Sequence, residues 1–354
     1  MYDYSYTGYE ATLGYSSLAA ISRLENIRSY RVIVKSAIVK MKLVSVVIPT
    51  HFRADRLAYA VESVQRQTWH NLEIIVVSDG KDADTEKLME AKKCEDSRIV
   101  FLEYTPCRGG NHARNIGIEN SKGDFIAFLD DDDIWYEDKI ERQIALFERD
   151  PRVGLVGCGI RVIHVEKNTS YITLFREKGD LSTAILYYNI IGSTSCVMLR
   201  REAIDTCGSF DDSMPSRQDY DLWIRICQKY LVDFVDRVEL DYYVHNDAGE
   251  KVQVSKSLDK YLMATEMICN KYSKLITSLD ENQQKEITAA RFLAVAQRAM
   301  EVGDKQNTAR NGMLAMKNKK SLKAAFFLLF FWIPYDFLVM LKSFVRPITN
   351  NAAK

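Results

Sequence analysis

Short apolar runs alternate, along the first part of the chain, with segments whose apolar residues recur every three or four positions. Residues 43–48, 72–77, 98–103 and 125–129 form the runs and read as strands, and the unbroken apolar stretch 125–129 reads as a buried parallel one. Leu57, Val61 and Val64 recur at helical spacing within residues 54–67, and shorter helices are predicted over 85–93 and 111–119. Pro49-Thr50 closes the first run and Ser78-Asp79-Gly80 the second, both suited to strand ends. This alternation predicts a three-layer α/β architecture with parallel strands.

The fourth run ends on Asp130, Asp131, Asp132 and Asp133, and Tyr136, Ile140, Ile144 and Phe147 follow at near-helical spacing. The acidic cluster is therefore predicted in the turn between a buried strand and an amphipathic helix. That is the edge at which open α/β sheets bind ligands. Alternation along a strand would send Asp130 and Asp132 one way and Asp131 and Asp133 the other. Four adjacent carboxylates repel one another. A divalent cation of the Mg2+ or Mn2+ kind relieves the repulsion, held by one or two carboxylates together with substrate phosphates. The plainer alternative is an Asp-rich turn in which Asp133 caps the next helix.

Beyond Pro151 the rhythm is less regular. Strands are predicted over 153–165, 171–175 and 195–199, with a helix near 182–188 and another opening at Gln218-Asp219, where Leu222, Ile226 and Tyr230 share a face. Residues 258–320 read as two or three amphipathic helices serving as packing material. After Lys317, Lys319, Lys320 and Lys323 comes an apolar run over 324–333, interrupted at Pro334 and Asp336 and resumed over 337–341, with Lys342 and Arg346 beyond. A membrane-crossing helix needs about 20 apolar residues. Neither part is that long, and basic residues flank both ends, so residues 321–346 are expected to lie on, or dip into, a membrane surface. A core or dimer helix is the alternative.

Composition narrows the choices. The chain has 354 residues, enough for one large or two modest domains, and 48 Lys plus Arg balance 48 Asp plus Glu, so no basic field recommends nucleic acid as a partner. Seven scattered cysteines without a Cys-x-x-Cys pair argue for reduced thiols and a cytosolic setting. Residues 1–40 are polar and rich in tyrosine, with no signal-type apolar core; they are expected to be a poorly ordered extension ahead of Met41-Lys42. The first turn reads Pro-Thr-His-Phe-Arg, which is neither a dinucleotide fingerprint nor a phosphate loop.

Five blocks in order carry a resemblance. Ser-Val-Val-Ile-Pro-Thr at 45–50, Gln-Thr-Trp-His-Asn-Leu-Glu-Ile-Ile-Val-Val-Ser-Asp-Gly at 67–80, Arg-Asn-Ile-Gly at 114–117, Gly-Asp-Phe-Ile-Ala-Phe-Leu-Asp-Asp-Asp-Asp at 123–133 and Gln-Asp-Tyr-Asp-Leu-Trp at 218–223 resemble the family 2 glycosyltransferases of GT-A fold. The likeness covers residues 43–245. It implies a catalytic domain over 41–250, with a donor half (41–150) and an acceptor half (151–250), followed by a helical region over 251–320. It also implies that Pro49, Thr50, Phe52, Arg53 and Asp79 hold the nucleotide of a nucleotide-sugar donor. Asp130 and Asp131 would join them, Asp131 on the ribose. Asp132 would bind the metal that bridges the diphosphate, with His245 close by, and Asp219 would be the general base for the acceptor hydroxyl. Arg108, Asn111 and His112, beside Gly109-Gly110, either approach the donor or form a solvated loop; Asn111 is counted with the donor-binding residues. The chain departs from the family pattern at Ser78 and Lys81 around Asp79, and at Gln218 where relatives often carry Glu.

The expected activity is an inverting transfer from a nucleoside-diphosphate sugar, of the UDP-sugar kind, to a hydroxyl of a lipid-linked or polysaccharide acceptor. The expected location is the cytoplasmic face of the cell membrane. The rival readings are a nucleotidyltransferase that makes activated sugars and a catalytically silent sugar-binding subunit. The first usually needs a glycine-rich basic loop that residues 49–53 do not supply, and the intact acids at 79, 131, 132 and 219 speak against the second.

Overall fold

The computed structural model describes residues 42–245, 257–333 and Phe337. The extension expected over 1–40 and most of the segment expected at 321–346 beyond residue 333 lie outside the described residues. The chain divides into Met1–Lys42 and Leu43–Lys354, and the fold belongs to the second unit.

Strands β1 (Val44–Thr50), β2 (Leu72–Asp79), β3 (Ile99–Tyr104) and β4 (Phe125–Phe128) lie parallel in the order β3-β2-β1-β4. Every residue of β1 is buried, as a strand covered by helices on both faces must be. The helices are α1 (Ala54–Gln65), α2 (Ala83–Glu95) and α3 (Gly110–Glu119). Helix α3 comes close to β1 because residue 117 is glycine: a Cβ there would lie 2.3 Å from Val47 Cγ1. The β1–β4 ladder ends at Val47↔Phe128, so Pro49, with no N–H, falls where no bond to β4 is needed.

Four strands continue the same sheet through β4: β8 (Met198–Arg200), β6 (Val153–His164), β9 (Leu231–Val244) and β5 (Ile134–Trp135). Strand β7 (Thr169–Thr173) pairs with β6 alone. Here β8 runs antiparallel to both β4 and β6, β6 and β9 are parallel, and β5 is antiparallel to β9. The parallel arrangement predicted from the strand–helix rhythm thus holds for the first half, and the less regular half adds reversed strands. Helices α4 (Lys139–Arg149), α5 (Arg201–Cys207) and α6 (Gln218–Cys227) complete this part.

The strand after the acidic turn is a departure from the sequence expectation. The chain does not pass from Asp133 directly into a helix; β5 intervenes, and α4 begins only at Lys139 after Asp138. Asp133 is therefore no helix cap. Residues 130–133 form a tight turn, with Asp133 N–H donating to the Asp130 carbonyl over 3.1 Å. The turn cancels the alternation expected of an extended strand.

Helices α7 (Leu258–Lys271), α8 (Ser273–Thr277), α9 (Glu281–Glu301), α10 (Lys305–Asn318) and α11 (Leu322–Phe330) follow. Ser257, Asp280, Asp304 and Ser321 each accept a backbone N–H from the first turn of α7, α9, α10 and α11, which satisfies donors left over at a helix start. Among the described residues no helix is long and apolar enough to cross a membrane.

Candidate active site

The carboxyl end of the sheet gathers the charged residues that the motifs single out. Asp131 is fully buried and accepts 2.7 Å from Thr50 Oγ1, at the end of β1, and 3.1 Å from Arg53 Nε. The second nitrogen of the Arg53 fork lies 2.6 Å from the other oxygen of Asp131, and its third donates 3.0 Å to Asp132. Asp131 and Asp132 thus share one guanidinium rather than pointing apart, a consequence of the turn. Asp130 points elsewhere, accepting 2.5 Å from Arg114 of α3 and 3.3 Å from Thr194. Asp133 is also fully buried; one oxygen accepts the Tyr243 N–H over 3.2 Å, and the other has no hydrogen bond.

Burying so many carboxyls shifts their protonation. Burial pushes Asp131 up to about 7 against the pull of Arg53 and Thr50. Burial raises Asp132 as well, with Arg53 and then His245 opposing it. Asp133 is raised well above the ordinary range, by burial and by the neighbouring charges of Asp132 and Asp130.

Asp219 lies in the first turn of α6, where Arg217 rather than Asp219 is the cap residue. Its carboxylate accepts 3.2 Å from Asn189 Nδ2. Burial raises it; the Tyr220 N–H, Arg217 and Arg114 oppose, and Asp130 adds to the rise. The phenol of Tyr242 is held above its usual range by burial and by the charges of Asp133, Asp130, Asp132 and Asp219. Acids from two distant stretches therefore lie within electrostatic reach of a single tyrosine. His245 stacks on Tyr243, with ring centroids 6.2 Å apart, and acts on Asp132.

Asp79 ends β2, beside the loop that leads into α3. Its two oxygens accept the backbone N–H groups of Arg108 and Gly109 at 2.7 and 2.9 Å, so the carboxylate expected to meet a nucleobase here organises the loop leading into α3. His51 Nδ1 donates 2.6 Å to the Asp79 carbonyl, and Phe52, in the left-handed conformation, places its ring against Gly80, where a Cβ would come within 3.2 Å of it. The tripeptide 51–53 thus links the end of β2 to the acidic turn. The Asn111 amide donates 3.2 Å to the carbonyls of both Asp211 and Met214.

Several participants were not legible in the sequence. Asn189 carried no motif, and Tyr242 was only a neighbour of His245. Arg114 sat inside a quoted block without an assigned role. The helical region is more than packing material: Arg217, left-handed at φ 55°, stacks its guanidinium 4.7 Å from the rings of both Tyr220 and Tyr261 of α7 and donates 2.7 Å to Thr265. Buried Asp221 on the same α6 turn receives Tyr272 Oη at 2.7 Å, Lys271 Nζ at 2.9 Å and Arg225 at 3.1 Å.

Among the described residues no three His, Cys, Asp or Glu side chains converge as a complete metal cage. The donor set nevertheless fits an oxygen-seeking cation bound in part by substrate. His245 lies within electrostatic reach of Asp132, buried Asp133 has an oxygen without a hydrogen bond, and Mg2+-type sites commonly take one or two protein ligands plus phosphate and water.

The family described as Glycosyl transferase family 2 matches residues 45–208. The chain is 32% identical over 229 residues to the Escherichia coli UDP-Glc:alpha-D-GlcNAc-diphosphoundecaprenol beta-1,3-glucosyltransferase WfaP, an alignment covering 62% of this chain and 86% of that one. With that match over a site of this geometry, the chain belongs to the family 2 glycosyltransferases. Some relatives run longer, and the chain spans 31% to 35% of three from Rickettsia. Among solved structures, Staphylococcus aureus TarS 1–349 matches with a TM-score of 0.56 at 16% identity over 82% of this chain and 89% of that one; it is also known in complex with UDP-GlcNAc, where the TM-score is 0.51. The mannosyltransferase PcManGT of Pyrobaculum calidifontis, in complex with GDP-Man and Mn2+, matches with a TM-score of 0.54 at 17% identity, over 86% and 85% of the two chains. These likenesses show the GT-A fold.

Proposed function

We propose that this enzyme transfers a sugar, with inversion, from a nucleoside-diphosphate sugar of the UDP-sugar kind to a hydroxyl of a lipid-linked or polysaccharide acceptor. The loop 189–194 carries the reading: Asn189 donates to Asp219 and Thr194 donates to Asp130, so one short loop touches both the candidate base and the acidic turn. Thr50, Phe52 and Arg53 form the donor side. Asp131 serves the ribose, and Asp132 with His245 would hold Mg2+ or Mn2+. The cation, when bound, neutralises charge developing on the departing diphosphate. Asp219 takes the proton of the acceptor hydroxyl as its oxygen attacks, and Asn189 orients that carboxylate. One base and one leaving group suit a single displacement, which inverts the anomeric centre.

The acceptor class draws support from the WfaP relative, whose name specifies a diphosphoundecaprenol-linked sugar. It draws more from α11, where Leu322 is 93% exposed, Leu329 64% and Trp332, just beyond, 59%. Apolar side chains turned to solvent next to Lys320 and Lys323 suit peripheral attachment through residues 321–346 at the cytoplasmic face.

The test incubates the full chain with a panel of nucleotide sugars, with and without Mn2+, in the presence of polyprenyl-diphosphate-linked sugar. Metal-dependent release of nucleoside diphosphate, with NMR showing an inverted linkage, is expected. Pyrophosphate chemistry, or a product that keeps the donor's anomeric configuration, overturns the reading.

A further inference from the structure

The donor-side role given to Arg53 leaves unexplained its hold on two acidic side chains. Its backbone is fixed, since its carbonyl accepts the N–H groups of Arg56 and Leu57 at the start of α1 over 3.1 and 3.0 Å. Its guanidinium, however, grips Asp131 through two nitrogens and Asp132 through the third. The fork geometry of arginine matches carboxylate oxygens two at a time. One monovalent cation thus occupies the two acids that the proposed function gives to ribose and metal. A divalent ion arriving alone at Asp132 must displace the Arg53 bond to that carboxylate and then stand beside a positive guanidinium. A diphosphate changes the balance, because its oxygens give the released guanidinium a new anionic partner and bring negative charge to the cation.

We propose that Arg53 holds the cation's place at Asp131 and Asp132 in the donor-free enzyme, so that the divalent ion binds together with the nucleoside diphosphate rather than ahead of it. The inference rests on the metal-dependent reading above. Arg53 acts as a positioning residue: its side chain swings from the carboxylates to the diphosphate while its backbone remains at the head of α1. Binding of metal and of nucleotide is then strongly coupled, and by linkage each tightens the other by the same factor.

The test is a titration of the full chain with MnCl2, following free Mn2+ by electron paramagnetic resonance, alone and with saturating UDP, GDP or uridine. For the native protein, a diphosphate is expected to tighten Mn2+ binding at least tenfold, whereas uridine leaves it unchanged. Arg53→Met is expected to bind Mn2+ alone at least tenfold more tightly than the native chain and to show weaker coupling to the diphosphate. Arg53→Lys keeps the charge without the fork and should fall between the two. The idea is overturned if the native protein alone binds Mn2+ as tightly as it does with diphosphate, or if a folded Arg53→Met variant, checked by its melting curve, binds Mn2+ no better than the native chain. The first comparison needs no variant and can overturn the idea by itself, and if Arg53→Met fails to fold, Arg53→Lys decides it: Mn2+ binding alone no tighter than in the native chain overturns the idea as well. Absence of Mn2+ binding under every condition would instead sink the metal-dependent reading, and this inference with it.

Discussion

Replacing Asp219 by asparagine keeps the size of the side chain and removes its ability to take a proton, which makes it the sharpest probe of the site. A positioned general base contributes about 10²- to 10⁴-fold to rate, or about 2.7–5.4 kcal/mol of barrier. Asp219→Asn is therefore expected to lower kcat by that factor. The KM for the donor should change little, because the proposed function gives the donor to Thr50, Arg53 and the 130–132 turn rather than to Asp219. Stability should move the other way. Burial raises the Asp219 carboxyl above the ordinary aspartate range, so its charged form costs folding free energy. That cost is fully present above the raised value and disappears below the ordinary one. At neutral pH, Asp219→Asn should melt no lower than the native chain, and the difference should fade as the solution is acidified into the ordinary aspartate range. Asn189, whose amide now faces Asp219 Oδ2, can be met by the new side-chain oxygen after an amide flip. The native pH–rate profile should lose activity as pH falls through the raised value, and the variant should lack that limb. Steady-state kinetics and calorimetry across pH check all of this. A loss of kcat below tenfold, or a clear drop in melting temperature at neutral pH, refutes the assignment of Asp219 as a desolvated base.

Other perturbations read different parts of the fold. Asp221→Ala removes the carboxylate shared by Arg225, Lys271 and Tyr272; breaking a buried ion pair from one side costs about 3–5 kcal/mol, measurable by denaturant unfolding. Gly117→Ala forces a methyl group against Val47 and should cost about 1–3 kcal/mol as overpacking, again by unfolding, with kinetics altered less than stability. A chain ending at Ser321 should lose sedimentation with anionic vesicles while keeping donor hydrolysis, and retained sedimentation would defeat attachment through residues 321–346.

The first half of the sheet was readable because its code is local. The apolar runs at 43–48 and 125–129 name β1 and β4 directly, and Leu57, Val61 and Val64 are all buried on α1. The acidic turn was readable as chemistry but not as geometry. Strand alternation separated Asp131 from Asp132, whereas a turn fixed by the Asp133–Asp130 backbone bond and by the β5–β9 pairing sets them side by side. The two residues of β5 carry no period, and their partner in β9 lies about a hundred residues away, so no sequence window contains the signal. Asn189 escaped for the same reason: its role depends on a loop that meets α6 only in three dimensions. Arg53 was legible as a site residue, but its hold on two carboxylates depends on that turn.

The Tyr261, Thr265, Lys271 and Tyr272 contacts of α7 and its successor bear on how such enzymes can be recombined. They fasten both ends of the segment 217–221, leaving Asp219 between a stacked arginine and an anchored carboxylate. A hybrid that grafts the sheet of one family member onto the trailing helices of another would inherit mismatched fastenings on each side of the proposed base. Exchange boundaries drawn at the end of β9 would thus cut through the support of Asp219, and those placed beyond α8 would carry it across intact.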